Sequence, residues 1–163
     1  MRWRLIRALI GLPATEVVLV PAIILWATHG TNLAADPTSP NEAWFWLALV
    51  PLVAGLCLLS WTVALFLRSG KGTPLRWDPP KTLVIRGPYR HVRNPMATGD
   101  ILILIGESLL MRSWPLLAWV LLFFVVHSIY FPLVEEKHLE ERFGDDYLFY
   151  KANVPRWLPK RRG

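Results

Sequence analysis

Four apolar stretches, at about residues 5–27, 43–67, 96–111 and 114–134, leave this chain few ways to fold. A helix needs roughly 20 apolar residues to cross a bilayer core about 30 Å thick. Runs of this kind occupy about half of the 163 residues. Only 18% of the residues are charged, against roughly 25% in soluble domains. The pattern predicts an all-α polytopic membrane protein, a single domain over 1–163 with about four transmembrane helices. It leaves no room for a soluble doubly wound domain. Arg2, Arg4 and Arg7 precede the first run, which Pro13, Glu16 and Pro21 interrupt. Its apolar part exceeds the roughly 7–15 residues of a signal-peptide core and no A-x-A-like site follows Trp26, so it is read as a retained helix. The one cysteine, Cys57, lies inside an apolar run, which excludes a disulfide framework and a CxxC zinc site.

The basic residues orient the bundle. Three precede the first run, none falls in 28–42, seven fall in 68–95, one lies in the turn 111–113 and seven follow from 135. With four spans, 17 of the 18 lie on one side, the cytoplasmic side by the positive-inside rule. The net charge of +6 is therefore mainly a topology signal, with a contribution from anionic headgroups. No basic face interleaved with stacking aromatics is visible, so nucleic acid is not expected as a partner. The expected location is a multi-pass position in a bacterial inner membrane, with both termini cytoplasmic.

Two cytoplasmic segments carry the chemistry. In the connector 68–95, Gly-Lys-Gly-Thr at 70–73 lacks the GxxxxGK[ST] spacing and a preceding strand, so it is not a phosphate loop. Thr82 to Arg86 reads as an extended piece and Gly87-Pro88-Tyr89 as a turn. Asn94 suits an N-cap, and Pro95 the first turn of the third helix. In the tail 135–163, Leu139, Phe143, Tyr147 and Tyr150 recur at helical spacing and predict an interfacial amphipathic helix, which Gly144 breaks or kinks. Glu140 and Glu141 read as a solvated face. Glu135 and Glu136 sit at the mouth of the bundle, where adjacent carboxylates repel unless a cation lies beside them. His138 alone makes a poor metal ligand set.

The set Gly87-Pro88-Tyr89-Arg90, Arg93-Asn94-Pro95, Gly99, Glu135-Glu136, Phe143-Gly144, Tyr147, Tyr150 and Val154-Pro155-Arg156 resembles the isoprenylcysteine carboxyl methyltransferase family. That family stands with the phospholipid N-methyltransferases among integral-membrane enzymes that use S-adenosyl-L-methionine. The resemblance covers about residues 73–159. It implies that Leu83, Ile85, Gly87, Tyr89, Arg93, Asn94 and Pro95 wrap the cofactor, largely through backbone groups, while Glu135 and Glu136 hold it from the other side. It also implies a catalytic place for Asn94 and Glu136, an acceptor site bordered by Ala97 and Arg156, and no need for a metal. Relatives often carry His where this chain has Asn94, and Tyr where it has Ala97. Asn94 can exchange hydrogen bonds but cannot titrate, and Ala97 leaves room for a different or bulkier acceptor.

Polar groups inside the apolar runs are functional suspects, because they are expensive in a bilayer. Asp100 and Glu107 share one face of the third helix, and His127 lies on the fourth. Asp100 is near enough to the cytoplasmic end to serve the site as a catalytic or acceptor-binding group. Glu107 and His127 are expected either to pair and hold the hairpin together or to line the acceptor path. Glu16 has no evident partner. The function expected is methyl transfer from S-adenosyl-L-methionine to a lipid or prenylated acceptor, amine or carboxylate, at the cytoplasmic face. The alternative is a non-catalytic assembly or transport subunit built on Asp100, Glu107 and His127. Labelling of engineered cysteines from outside intact cells is expected to reach a site near Asp36 and to miss one near Lys71; the reverse pattern would overturn the topology.

Overall fold

The computed structural model describes residues 14–31, 33, 36–69 and 83–159, with the side chains of 66–69 left out. The start of the first apolar run, the Gly-Lys-Gly-Thr segment with Thr82, and residues 160–163 lie outside the described residues. Everything regular among the described residues is helical: α1 (Thr15–Thr28), α2 (Ala43–Ser69), α3 (Pro95–Leu110), α4 (Trp114–Phe143) and α5 (Asp145–Asn153), with a 3-10 turn at Gly87–Arg90.

Proline explains two irregularities. It has no N–H and its ring crowds the carbonyl one turn back, which normally ends a helix. In α4 the turn Phe131–Glu135, which contains Pro132, widens to π-helical form and the Glu136 N–H reaches back to the Phe131 carbonyl. The wide turn absorbs the misfit. The helix therefore does not stop at 134, as the apolar run suggested, but continues to Phe143. The first turn of α1, Thr15–Leu19, is widened in the same way just before Pro21. Gly144, at φ 52°, then separates α4 from α5. At the other end Arg112 takes φ 44° and the Ser113 hydroxyl accepts the Leu116 N–H at 3.4 Å, which makes the tight α3–α4 turn.

Among the described residues two helices, over Ala43–Leu65 and Trp114–Phe143, are long and apolar enough to cross a membrane. Their large side chains do not form a buried core. Val50, Val53, Leu56 and Trp61 on α2 are exposed, as are Leu121, Leu122, Val125, Ile129 and Leu133 on α4. A contiguous apolar surface of this extent suits lipid and not water. α3 has 16 residues, about 24 Å at 1.5 Å per residue, and is mostly enclosed by its neighbours.

The tightest packing is between α2 and α3. A Cβ added at Gly55 would lie 2.6 Å from the Gly99 carbonyl oxygen and 2.8 Å from the Ile103 nitrogen. One added at Gly106 would lie 2.7 Å from Leu52 Cβ. The backbones touch, which is how membrane helices gain dispersion energy without a hydrophobic drive between them. Val17, Ile103, Leu104, Val120 and Phe123 form the buried cluster between α1, α3 and α4. Gly55→Ala and Gly106→Ala are each expected to lower stability by about 1–3 kcal/mol through overpacking, seen as a lower Tm in detergent. Cys57→Ala, on the exposed face, should leave Tm unchanged.

Candidate active site

The connector, the start of α3, the end of α4, α5 and the tail meet at one end of the bundle. Gly87 takes φ 57°, and a Cβ there would stand 2.9 Å from Leu65 Cδ1, so the turn can lie flat on α2. Beyond it the connector is strapped to the tail: the Arg93 N–H donates to the Pro155 carbonyl at 2.9 Å and the Asn94 N–H to the Arg156 carbonyl at 3.4 Å. The Tyr150 hydroxyl donates to the Tyr89 carbonyl at 2.7 Å. Tyr147 and Tyr150 are buried, with rings 6.0 Å apart. The expected amphipathic helix is thus two helices, and its tyrosines face the connector. Leu148 and Phe149 occupy the outer side.

Glu136 is the centre of this assembly. It is 3% exposed, and among the described residues three cations converge on it. Arg93 approaches its Oε1 at 2.9 Å, Arg156 reaches the same oxygen at 2.9 Å and Lys151 stands 3.2 Å from Oε2. Lys151 also pairs with Glu140, which is half-buried instead of fully solvated. Glu135 is half-buried beside Tyr89. Burial first, then the Glu135 charge and Tyr150, raises the pKa of the Tyr89 phenol.

Three polar atoms nearby are buried without a hydrogen-bond partner: Arg93 Nε, Asn94 Nδ2 and Asp100 Oδ1. Asn94 stands at the N-cap of α3, but its side chain makes no capping bond and its carbonyl accepts from Thr98 instead. Pro95, Ala97 and Asp100 are buried on α3 just beyond it. Leu83 is half-buried and Ile85 exposed where the connector enters. The structure thus gathers Tyr89, Arg93, Asn94, Pro95, Ala97, Asp100, Glu135, Glu136 and Arg156 at one end. Orphaned donors and acceptors there fit a polar ligand that would complete them.

Glu107 and His127 do not pair. His127 Nδ1 lies 2.9 Å from the Phe123 carbonyl, and its Nε2 faces Glu16 Oε2 at 4.0 Å. Glu107 Oε2 has no hydrogen-bond partner. Trp119, Phe123, His127 and Phe131 recur every fourth residue on the face of α4 that meets α1, with Phe123 and His127 stacked at 3.9 Å. Glu16, without a partner in the sequence reading, therefore has one. At the opposite end of the bundle Arg112 pairs with Glu42, and the Thr38 N–H donates to the Leu110 carbonyl at 2.8 Å.

Helical wherever its described residues are regular, with apolar helices turned outward and a polar cluster at one end of the bundle, the chain has the make-up of a membrane protein. The phospholipid methyltransferase family model matches residues 45–146, from the start of α2 to the start of α5. The chain belongs to that family. No curated protein matches it.

Tyr150→Phe is expected to cost about 1 kcal/mol, the net worth of one hydrogen bond, measured by thermal unfolding. Burial, then Tyr147, raises the Tyr150 pKa while Arg93 opposes the rise. A phenol whose folded pKa is raised contributes fully below its unfolded pKa of about 10 and loses that contribution as pH rises further. The alkaline loss of stability above about pH 10 should therefore be shallower in Tyr150→Phe than in the parent.

Proposed function

We propose that this protein is a four-span enzyme that transfers a methyl group from S-adenosyl-L-methionine to a lipid or other membrane-embedded amphipathic acceptor at the cytoplasmic membrane face. The observation that carries this reading is the coincidence of the family match with the orphaned polar atoms of Arg93, Asn94 and Asp100. The tail, beyond the matched segment, would form the outer wall of the same site.

The residues suit such a cofactor. The backbone from Leu83 to Gly87, with Tyr89 and Arg93 to Pro95, would wrap it, and Glu135 would face its positive charge, since a carboxylate in a low-dielectric site stabilises a cation strongly. When bound, S-adenosyl-L-methionine supplies an electrophilic methyl group. The chain's own task is positioning, because an in-line displacement gains mainly from holding donor and acceptor in register.

Glu136 is already surrounded by Arg93, Lys151 and Arg156, which makes it a poor base. Its role is to fix the connector against the tail, and Arg156, held by it, borders the acceptor side. Asn94 can orient groups but not take a proton. Asp100 remains, buried below the mouth with one oxygen unpartnered, and it would take the proton of an amine acceptor. Ala97 gives that acceptor space beside it. An amine-bearing lipid is therefore favoured over a prenylcysteine carboxylate, which is already ionised and needs no base.

Calorimetric titration of the detergent-purified protein with S-adenosylhomocysteine should show saturable binding. Glu136→Gln should lose about 1.5–3 kcal/mol of that affinity by loosening the connector, while Glu140→Gln is nearly neutral. No binding at millimolar ligand would favour a non-catalytic subunit. Phosphatidylethanolamine and a farnesylated cysteine analogue, offered in parallel with radiolabelled cofactor, should show label on the lipid; label on the cysteine analogue alone would overturn the choice of acceptor.

A further inference from the structure

Beyond α5 the chain passes from the polar mouth to the outer face of α4 within two residues. Arg156 is the polar side of that step. Its Nε and Nη2 approach Glu136 Oε1 at 2.9 Å each, and its carbonyl accepts the Asn94 N–H at 3.4 Å. Trp157 is the apolar side. Its ring centroid lies 5.2 Å from that of Phe124 and 5.9 Å from that of Phe131. Both phenylalanines belong to α4 and precede Glu136, Phe131 by five residues and Phe124 by twelve. At 1.5 Å per residue, a ring between them sits about 10 Å from the ion cluster, along the apolar part of the helix. Phe124 is exposed there beside Leu121 and Val125, and Leu158 is exposed next to Trp157. Two consecutive tail residues thus straddle the boundary between a charged site and lipid.

The charges on the polar side do not balance. Arg93, Lys151 and Arg156 face the carboxylates of Glu136 and Glu140, which leaves one positive charge in excess within the cluster. Lys151 is committed to both carboxylates. Of the two arginine side chains, Arg156 is the more open, 24% exposed against 11% for Arg93. A guanidinium carries five N–H donors in a planar fork, and Glu136 takes one from Nε and one from Nη2. The other three suit an oxyanion, phosphate above all. A soluble anion would have no use for Trp157, and an uncharged lipid none for Arg156. A phospholipid presents phosphate and hydrocarbon in the order that these two residues do.

We propose that the seam between the tail and α4 is the docking strip of the acceptor, where Arg156 binds the phosphate of a phospholipid and Trp157, with Phe124, carries one of its acyl chains. This rests on the amine-lipid reading above and adds to it the residues that select the acceptor. The lipid stays in the bilayer beside α4 and only its head crosses into the mouth. Its phosphate stands between the chains and the amine, so an anchored phosphate leaves the nitrogen on a short carbon arm. That arm can swing towards the start of α3, which the Asn94 N–H ties to Arg156. Arg156 and Trp157 are specificity residues, because neither touches the reacting nitrogen.

Tryptophan fluorescence of the full-length protein in mixed micelles tests the strip without cofactor or turnover. The difference between the parent and Trp157→Phe isolates the Trp157 signal. Brominated phosphatidylethanolamine is expected to quench that signal at a mole fraction about fivefold or more below that needed for brominated diacylglycerol with the same chains, since the latter lacks the phosphate. Arg156→Gln should abolish the preference. Equal quenching by the two lipids in the parent overturns the proposal whether or not Arg156→Gln folds. Free inorganic phosphate at millimolar concentration should leave the quenching unchanged; displacement of the lipid would mark a soluble-anion site and overturn the assignment. In phosphatidylethanolamine methylation, Trp157→Ala should raise KM about tenfold, with kcat changed less than about threefold and S-adenosylhomocysteine affinity unchanged. A loss confined to kcat marks a structural role and also overturns the proposal. Absence of S-adenosylhomocysteine binding would sink the enzyme reading alone, because the quenching needs no cofactor.

Discussion

The site end of this protein depends on one buried carboxylate. Taking Glu136 out of water costs several kcal/mol unless cations and donors replace the lost hydration. The cations come from separate parts of the chain: Arg93 from the connector, Lys151 from α5 and Arg156 from the tail. None of these segments has an apolar core of its own. They are ordered because each must reach the same two oxygens, and the backbone pairs of Arg93 with Pro155 and Asn94 with Arg156 follow from that convergence.

What was legible in the sequence was local. Runs of apolar residues marked α2, α3 and α4, Gly87-Pro88 marked the turn, and Gly144 marked the break before α5. These features are decided within a few residues by hydrophobic length and by glycine's access to positive φ. The family itself was also legible, as a likeness carried by the connector, the paired glutamates and the tail motif, and the match over residues 45–146 agrees on the family.

The rest was set by packing across distance. The π turn at Pro132 let α4 run past the apolar stretch, which no residue count reveals. Tyr147 and Tyr150 have the spacing of a lipid-facing stripe, yet they bury against the connector because a hydroxyl can reach the Tyr89 carbonyl there. Asn94 has the right identity for a cap, yet its side chain makes no capping bond. Glu16 found its partner on α4 because the first turn of α1 seats between α3 and the aromatic stripe of α4.

The contact between α2 and α3 has a mechanical meaning. Where Gly55 lies against Gly99 and Gly106 against Leu52, main chain meets main chain with no side chains between to rearrange. Such a pair can neither slide nor part without losing its whole interface, so it acts as a fixed wall. Side chains alone, chiefly the rings of Trp119, Phe123 and His127, separate α1 from α4 on the other flank. Rings can turn where backbones cannot, so that flank can absorb a change of side-chain size by repacking, whereas the α2–α3 contact has no room to do so.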